Sequence, residues 1–364
     1  MVLLKVRSVL GLMDARGIDA LVVASPANVT YLTGLPRSSG TVLLIRRDGR
    51  VLALTPALDY WRVLDSVRGV EVLPYATYSL PDFEVALVEP PHTYIPKLLK
   101  SEGVSRVASD SPYTRISAEV GKTLGTEVED LSDALADLRA VKTSEELELM
   151  RRALAITEKA VEEVLGEVGA GATERAIAAL VEYRIKLGGA DGLAFESIVA
   201  SGPNSSYPHA TVTDRAIGSG EPVTIDVGAQ LRGYCSDLTR TVLVGPVPSE
   251  VRRAIELVAE AIDEATDAIR DGVSAEEVDA RAREVIRRAG LGKYFIHSLG
   301  HGVGVEVHEK PRLAQGSKDV LREGMVVTVE PGIYVPGKFG VRIENMVLVT
   351  KTRGETLNRL AKVI

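Results

Sequence analysis

Fourteen residues, Ile296 to Glu309, hold three of the protein's five histidines: His297, His301 and His308. Imidazole is a common metal ligand and the side chain that changes charge near neutral pH. Gly300, Gly302 and Gly304 surround His301, and a backbone without Cβ atoms can come close to something else. His209 lies further back in another polar stretch, and His92 is remote from both. A second group consists of acids in apolar runs. Asp226 sits in V-T-I-D-V-G, Glu330 in V-V-T-V-E-P-G and Glu344 in V-R-I-E-N-M-V, with Asp237 shortly after Asp226. A carboxylate in a buried strand is costly unless it is paired or metal-bound. Alternate strand residues share a face. Thr224 is therefore expected beside Asp226, Thr239 beside Asp237, Thr328 beside Glu330 and Arg342 beside Glu344, as polar neighbours that orient ligands. Four carboxylates around one point need cations at neutral pH. Two divalent ions would balance them. Oxygen-rich ligation with one imidazole suits manganese, cobalt, iron or zinc better than magnesium or calcium. Two such ions sharing a water and polarising a carbonyl would carry out metal-assisted hydrolysis.

The elements that must position these residues repeat. A capping box at Thr143-Ser144-Glu145-Glu146 starts a helix to about Val168. Thr173 caps a second, which ends before Gly188-Gly189, and strands follow at Ala194–Ala200, Pro222–Val227 and Gly233–Leu243. The pattern restarts at Ser249, with a helix to Asp271, a second capped at Ser274 and ended at Gly290, then strands at Met325–Val329 and Val341–Val349. Each half carries one pair of acids, Asp226 with Asp237 and Glu330 with Glu344. The offsets between halves drift from 101 (Thr173 to Ser274) through 104 (Asp226 to Glu330) to 107 (Asp237 to Glu344), as loop insertions in a diverged duplication would give. The expected fold is α+β: a duplicated αα-ββ domain over 143–364 with helices covering a curved antiparallel sheet.

Before it, residues 1–130 read as a smaller α/β domain of mixed sheet. It begins with a helix over 3–17, a strand at Ile18–Ala24 and a hairpin across Asp48-Gly49. Its one distinctive stretch, Asn28 to Arg37, reads as a loop with Asn28 and Gly34 as turn residues. Residues 131–142 read as a linker. The net charge of −7 and the lack of a long basic run argue against nucleic-acid binding. The single cysteine, Cys235, excludes an intramolecular disulfide and suits a reducing cytosol. At the N-terminus Lys5 and Arg7 interrupt the apolar run and Val6, Val9, Leu10 and Met13 have helical spacing, unlike a signal peptide, and no run reaches the roughly 18 apolar residues of a membrane span. Four Asn and two Gln in 364 residues point toward a heat-adapted source.

The motifs S-G-P-N-S-S-Y-P-H-A (201–210), D-V-G-A-Q-L-R-G-Y-C-S-D-L-T-R-T (226–241), H-S-L-G-H-G-V-G-V-E-V-H-E-K-P (297–311), E-P-G-I-Y (330–334) and G-V-R-I-E-N (340–345) together resemble the pita-bread metallopeptidases. That group includes methionine aminopeptidase, aminopeptidase P and prolidase, along with the metal-free creatinase. The resemblance covers the chain from near Leu138 to the end, and N-x-x-Y-L-T-G in the first third resembles the creatinase-like N-terminal domain. It implies that Asp237 and Glu344 bridge two metals, that Asp226 completes one site, and that His301 and Glu330 complete the other. Glu330 would also shuttle the proton of the attacking water. His308 would stabilise the oxyanion, His209 would contact the substrate backbone on the departing side, and Arg342 would hold a ligand carboxylate.

His297, four residues before His301, is the mark of aminopeptidase P and prolidase within that group, where it lines the proline pocket. The resemblance thus implies a cytoplasmic, homodimeric hydrolase of the Xaa-Pro bond in short peptides, with two divalent ions per subunit, manganese or cobalt ahead of zinc or iron. Prolidase action on dipeptides is the expected activity, and aminopeptidase P action on longer peptides is the alternative. A metal-free binding module on the same scaffold is disfavoured because all five ligands are present. A clamp for the free proline carboxylate would separate the first two, and the sequence does not mark one. Arg37 could reach a partner subunit's site.

Overall fold

A computed structural model describes residues 2–363, with side chains from Lys5 to Val363. The chain divides into two compact units, one ending at Leu138 and one beginning at Arg139. In the first unit the order is α1 (Val2–Arg16), β1 (Ala20–Val23), α2 (Pro26–Thr33), β2 (Val42–Arg46), β3 (Val51–Pro56), α3 (Tyr60–Ser66), β4 (Glu71–Tyr75), α4 (Pro91–Ser101), β5 (Val107–Ser109), α5 (Arg115–Leu124) and β6 (Glu129–Asp130). Its six strands form one mixed sheet in the order β4-β3-β2-β1-β5-β6, with β1 antiparallel to β2 and parallel to β5. Its core is aliphatic and includes Val22, Leu44, Leu54, Ile95 and Leu99.

One expectation needs correction here. The stretch from Asn28 is mostly helix α2, not a loop. Pro26 occupies its first turn and Gly34 closes it at φ 75°, a start and stop that proline and glycine each favour. Asn28 is a buried anchor, donating to Asp110 Oδ2 at 2.9 Å. The division between the units falls inside the expected linker, 131–142, most of which is a further helix, α6 (Ser132–Ala140). Leu131 and Leu135, four residues apart, are fully buried, and burying that one face favours a helix over an irregular connector.

The second unit follows with α7 (Ser144–Val164), α8 (Glu174–Leu187), β7 (Gly192–Leu193), β8 (Ile198–Ser201), β9 (Glu221–Val227), β10 (Ala229–Leu231), β11 (Tyr234–Cys235) and β12 (Leu238–Val244). Then come α9 (Ser249–Ala268), α10 (Ala275–Arg288), β13 (Gly300–Gly302), β14 (Glu309–Leu313), β15 (Val326–Val329), β16 (Gly332–Val335), β17 (Phe339–Arg342), β18 (Asn345–Val349) and β19 (Gly354–Thr356). The repeat of two helices followed by strands is therefore present. Its caps are local chemistry: Thr143 and Glu146 form the reciprocal capping box, and Thr173 and Ser274 accept from backbone amides of the first turns of α8 and α10. In α9 the apolar positions Val251, Ile255, Val258 and Ile262 recur at helical spacing and join a core with Val327, Val329 and Val347.

The antiparallel strands fall into separate ladders, including β12-β9-β8 and β14-β13-β15-β18-β19. In both halves the acids sit where a two-stranded pair ends. Val227 pairs with Leu238, so Asp226 and Asp237 lie at that end; Val329 pairs with Asn345, so Glu330 and Glu344 lie just beyond it. No helix among the described residues is long and apolar enough to cross a membrane.

Candidate metal centre

One cavity of about 650 Å³ in the second unit is lined by His209, Asp226, Asp237, His297, His301, His308, Glu330, Arg342 and Glu344. Every site residue singled out from the sequence is thus brought to one place. Asp237, His301 and Glu344 each offer a ligand atom, all within 4.8 Å of one another. His301 Nε2 lies 3.3 Å from Glu330 Oε1 and 3.7 Å from Asp237 Oδ2. Its Nδ1 donates to the Gly302 carbonyl at 3.1 Å, which leaves Nε2 to face the acids. One oxygen of Asp226, Oδ1, is buried with no hydrogen-bond partner among the described residues. An orphaned carboxylate oxygen beside three convergent ligand atoms fits a cation.

The electrostatics point the same way. Burial pushes Asp237 well above its usual value, and Glu344, Asp226 and Glu330 add repulsion. Burial likewise raises Glu344, to about 8, with help from Glu330 and Asp226. Asp226 is raised by burial against the opposing charge of Arg342. Glu330 goes the other way: burial pushes it up, but the hydrogen bond and charge of His301 outweigh this and bring it to about 2. For His301 burial pulls down, and the bond and charge of Glu330 carry it up to about 9. Without cations, then, Asp237 and Glu344 are pushed toward their protonated forms, while Glu330 stays ionised beside His301.

Only one of the four expected neighbour pairs, Thr328 with Glu330 at 3.2 Å, holds within its own strand. The same hydroxyl accepts from the His301 backbone amide at 3.0 Å. Thr239 donates not to Asp237 but to Glu344 Oε2 at 2.7 Å, and Arg342 donates not to Glu344 but to Asp226 Oδ2. Thr224 approaches Thr241, at 3.5 Å, rather than Asp226. The Thr239 and Arg342 bonds cross between the halves because β12 packs against the junction of β17 and β18, where the Glu344 amide donates to the Thr239 carbonyl at 3.0 Å. The glycines around His301 also have an internal reason. A Cβ at Gly300 would strike the Thr328 carbonyl, one at Gly302 the Lys310 carbonyl, and one at Gly304 the Glu309 carboxylate. What comes close is the neighbouring protein rather than a ligand.

Three residues escaped sequence reasoning. Tyr334 on β16 accepts from Arg342 Nη1 at 2.7 Å and meets His297 Nε2 at 3.0 Å. Since His297 Nδ1 lies 2.8 Å from the Ser298 carbonyl and must donate there, Nε2 accepts from Tyr334. Burial lowers the pKa of His297, in keeping with that neutral form. Arg240 is fully buried and donates to the carbonyls of Thr239, Glu344, Leu360 and Ala361, fixing the backbone that carries Glu344. Arg312 on β14 lines the cavity, and its guanidinium has no ion-pair partner among the described residues. The only signals were positional: Tyr334 closes E-P-G-I-Y, Arg240 lies in D-L-T-R-T and Arg312 follows H-E-K-P.

His308 stands apart from this network. Its ring meets that of His301 edge-on, 4.3 Å between centroids, and its pKa is lowered by burial and by the charge of His301.

Residues 148–351 match the model of metallopeptidase family M24, and residues 5–151 match that of the creatinase/prolidase N-terminal domain. The chain belongs to family M24. An Xaa-Pro dipeptidase of Pyrococcus furiosus is 38% identical over 347 residues, 95% of each chain. The crystal structure of a prolidase from Pyrococcus horikoshii OT3 superposes with a TM-score of 0.86 at 35% identity, covering 98% of this chain and 99% of the other. An X-Pro aminopeptidase structure from Thermotoga maritima gives 0.88 at 32% identity, covering 99% of each. The fold is accordingly the M24 catalytic domain behind a creatinase-type N-terminal domain, as expected. The protein is a peptidase of a metal-using family, with a candidate metal site at Asp237, His301 and Glu344.

Proposed function

We propose that this M24 protein is an Xaa-Pro dipeptidase using two divalent ions, manganese or cobalt ahead of zinc or iron, held by Asp226, Asp237, His301, Glu330 and Glu344. The observation that carries the reading is the gathering of these five with His209, His297, His308 and Arg342 around one cavity. The ions, when bound, would lower the pKa of a water and polarise the scissile carbonyl. Glu330 takes the proton from the attacking water as its oxygen adds to the carbonyl carbon, and then passes that proton to the departing nitrogen as the tetrahedral adduct collapses and the C–N bond breaks. His308 donates to the carbonyl oxygen as negative charge develops there. His209 contacts the substrate backbone on the departing side, and His297, kept neutral by burial and oriented by Tyr334, lines the proline side. Arg342 holds one oxygen of Asp226, which would leave the other free for a metal ion. In keeping with the sequence reading, the enzyme works in the cytoplasm as a homodimer.

Arg312 favours dipeptides over longer peptides. An exposed guanidinium on the cavity wall, with no ion-paired acid among the described residues, suits a free carboxylate held by a two-pronged hydrogen bond. Arg312→Ala should raise KM for Ala-Pro by about 10-fold or more, the usual worth of a hydrogen bond to a charged group, and leave Ala-Pro-Xaa nearly unchanged. Steady-state kinetics on both substrates tests this. Equal losses on the two would instead favour aminopeptidase P action.

A further inference from the structure

His209 lies on an irregular stretch, and among the described residues its ring has no hydrogen-bond or ion-pair partner, so its place in the cavity depends on how that stretch is held. The stretch leaves β8 at Ser201, turns through a short 3-10 segment (Gly202–Ser206) and returns to α8 at Thr213. Both of its ends are gripped by one side chain, Glu174, the first residue of α8, which is fully buried. Glu174 Oε1 accepts from the Ser201 amide at 2.7 Å and hydroxyl at 2.9 Å. Oε2 accepts from Asn204 Nδ2 at 2.9 Å and from the Thr213 amide at 3.2 Å and hydroxyl at 2.5 Å. Asn204 also donates to the Thr211 carbonyl at 3.2 Å, tying the two limbs together. Five donors saturate a carboxylate. At the tip, Arg342 Nη1 donates to the Pro208 carbonyl at 3.1 Å. The stretch is therefore fixed at its base by Glu174 and at its tip by an arginine that also holds Asp226.

The other half uses a similar device. Asp279 on α10 is fully buried, binds Arg283 through both oxygens at 2.8 Å, and accepts from the Leu299 amide at 3.0 Å. Arg283 in turn donates to the carbonyls of Phe295 and His297, each at 2.9 Å. In each half a buried acid on the second helix thus grips the segment that brings a histidine to the cavity.

We propose that Glu174 is a positioning residue for His209, setting substrate placement from the far side of the loop. The proposal rests on the substrate role assigned to His209 above. A double-mutant cycle with Ala-Pro tests it, using Glu174→Gln, His209→Ala and their combination. A glutamine amide presents two donors where Glu174 presents acceptors, so the loop should loosen. Glu174→Gln is expected to lower kcat/KM about 10-fold, with the same division between KM and kcat as His209→Ala. In the His209→Ala background it should cost less than about twofold, because residues acting as one unit are not additive. Amide exchange at Ser201 and Thr213 should rise in Glu174→Gln while bound metal stays at wild-type levels. If Glu174→Gln does not fold, Thr213→Val, which removes one of the five bonds and little volume, should show the same pattern at smaller amplitude. A full, independent loss in both backgrounds would overturn the positioning role alone. Wild-type kinetics in His209→Ala would overturn the substrate role of His209 and this proposal with it.

Discussion

Glu330→Gln is expected to lower kcat for Ala-Pro by about 10²–10⁴-fold, the usual contribution of a positioned acid–base group, while the chain stays folded. Glu330 faces His301 Nε2 at 3.3 Å and accepts from the Thr328 hydroxyl at 3.2 Å. A glutamine carbonyl can still accept from Thr328, and its size is the same, so packing survives. It cannot take a proton from water. Circular dichroism and metal content measured beside the kinetics separate loss of the proton shuttle from loss of a metal. Near-normal turnover would remove Glu330 from its role.

Stripping the metal should weaken the fold as well as stop catalysis, and the effect should depend on pH. In the metal-free protein Asp226, Asp237 and Glu344 have pKa values raised by burial and mutual repulsion, Glu344 to about 8. The folded chain then holds protons that the unfolded chain has released. Stability therefore falls as pH rises from the ordinary carboxylate range toward 8. His301, raised to about 9, acts in the same direction, because the stabilisation from its imidazolium is lost as pH rises. Glu330, lowered to about 2, contributes a constant amount across this window. Cations replace those protons. At a fixed Mn²⁺ concentration about 100 times the Kd at pH 8, the metal should add roughly 2.7 kcal/mol at that pH, or about 5–10 °C in Tm, and less at pH 5, where protons compete for the ligands. Scanning calorimetry of chelated and reloaded protein measures this. A gain that shrinks with rising pH would contradict the clustering of acids as the metal site.

Parts of this centre could be read from sequence because they are local or periodic. Caps at Thr143, Thr173 and Ser274 depend on residues three positions away, and the duplication appears as matched offsets. The acids stood out because apolar strands rarely carry them. What could not be read is how the halves meet. Arg342 reaches Asp226 across 116 positions and Thr239 reaches Glu344 across 105, contacts set by how the strands are registered against one another rather than by any one strand's alternation. Tyr334 and Arg240 escaped for the same reason, since neither a tyrosine nor an arginine on a strand looks unusual until its partners are placed. The glycines around His301 gave a true signal of close approach with the wrong partner attached. In the first unit Pro26 and Gly34 already marked the ends of α2, and the turn chemistry of Asn28 outweighed them in the sequence reading.

The most direct test is a comparison of Ala-Pro, Ala-Pro-Ala and Met-Ala as substrates for the Mn²⁺-loaded protein. Ala-Pro should be hydrolysed fastest, Ala-Pro-Ala more slowly, and Met-Ala hardly at all. Turnover of Met-Ala alone would contradict the proline specificity assigned to this centre.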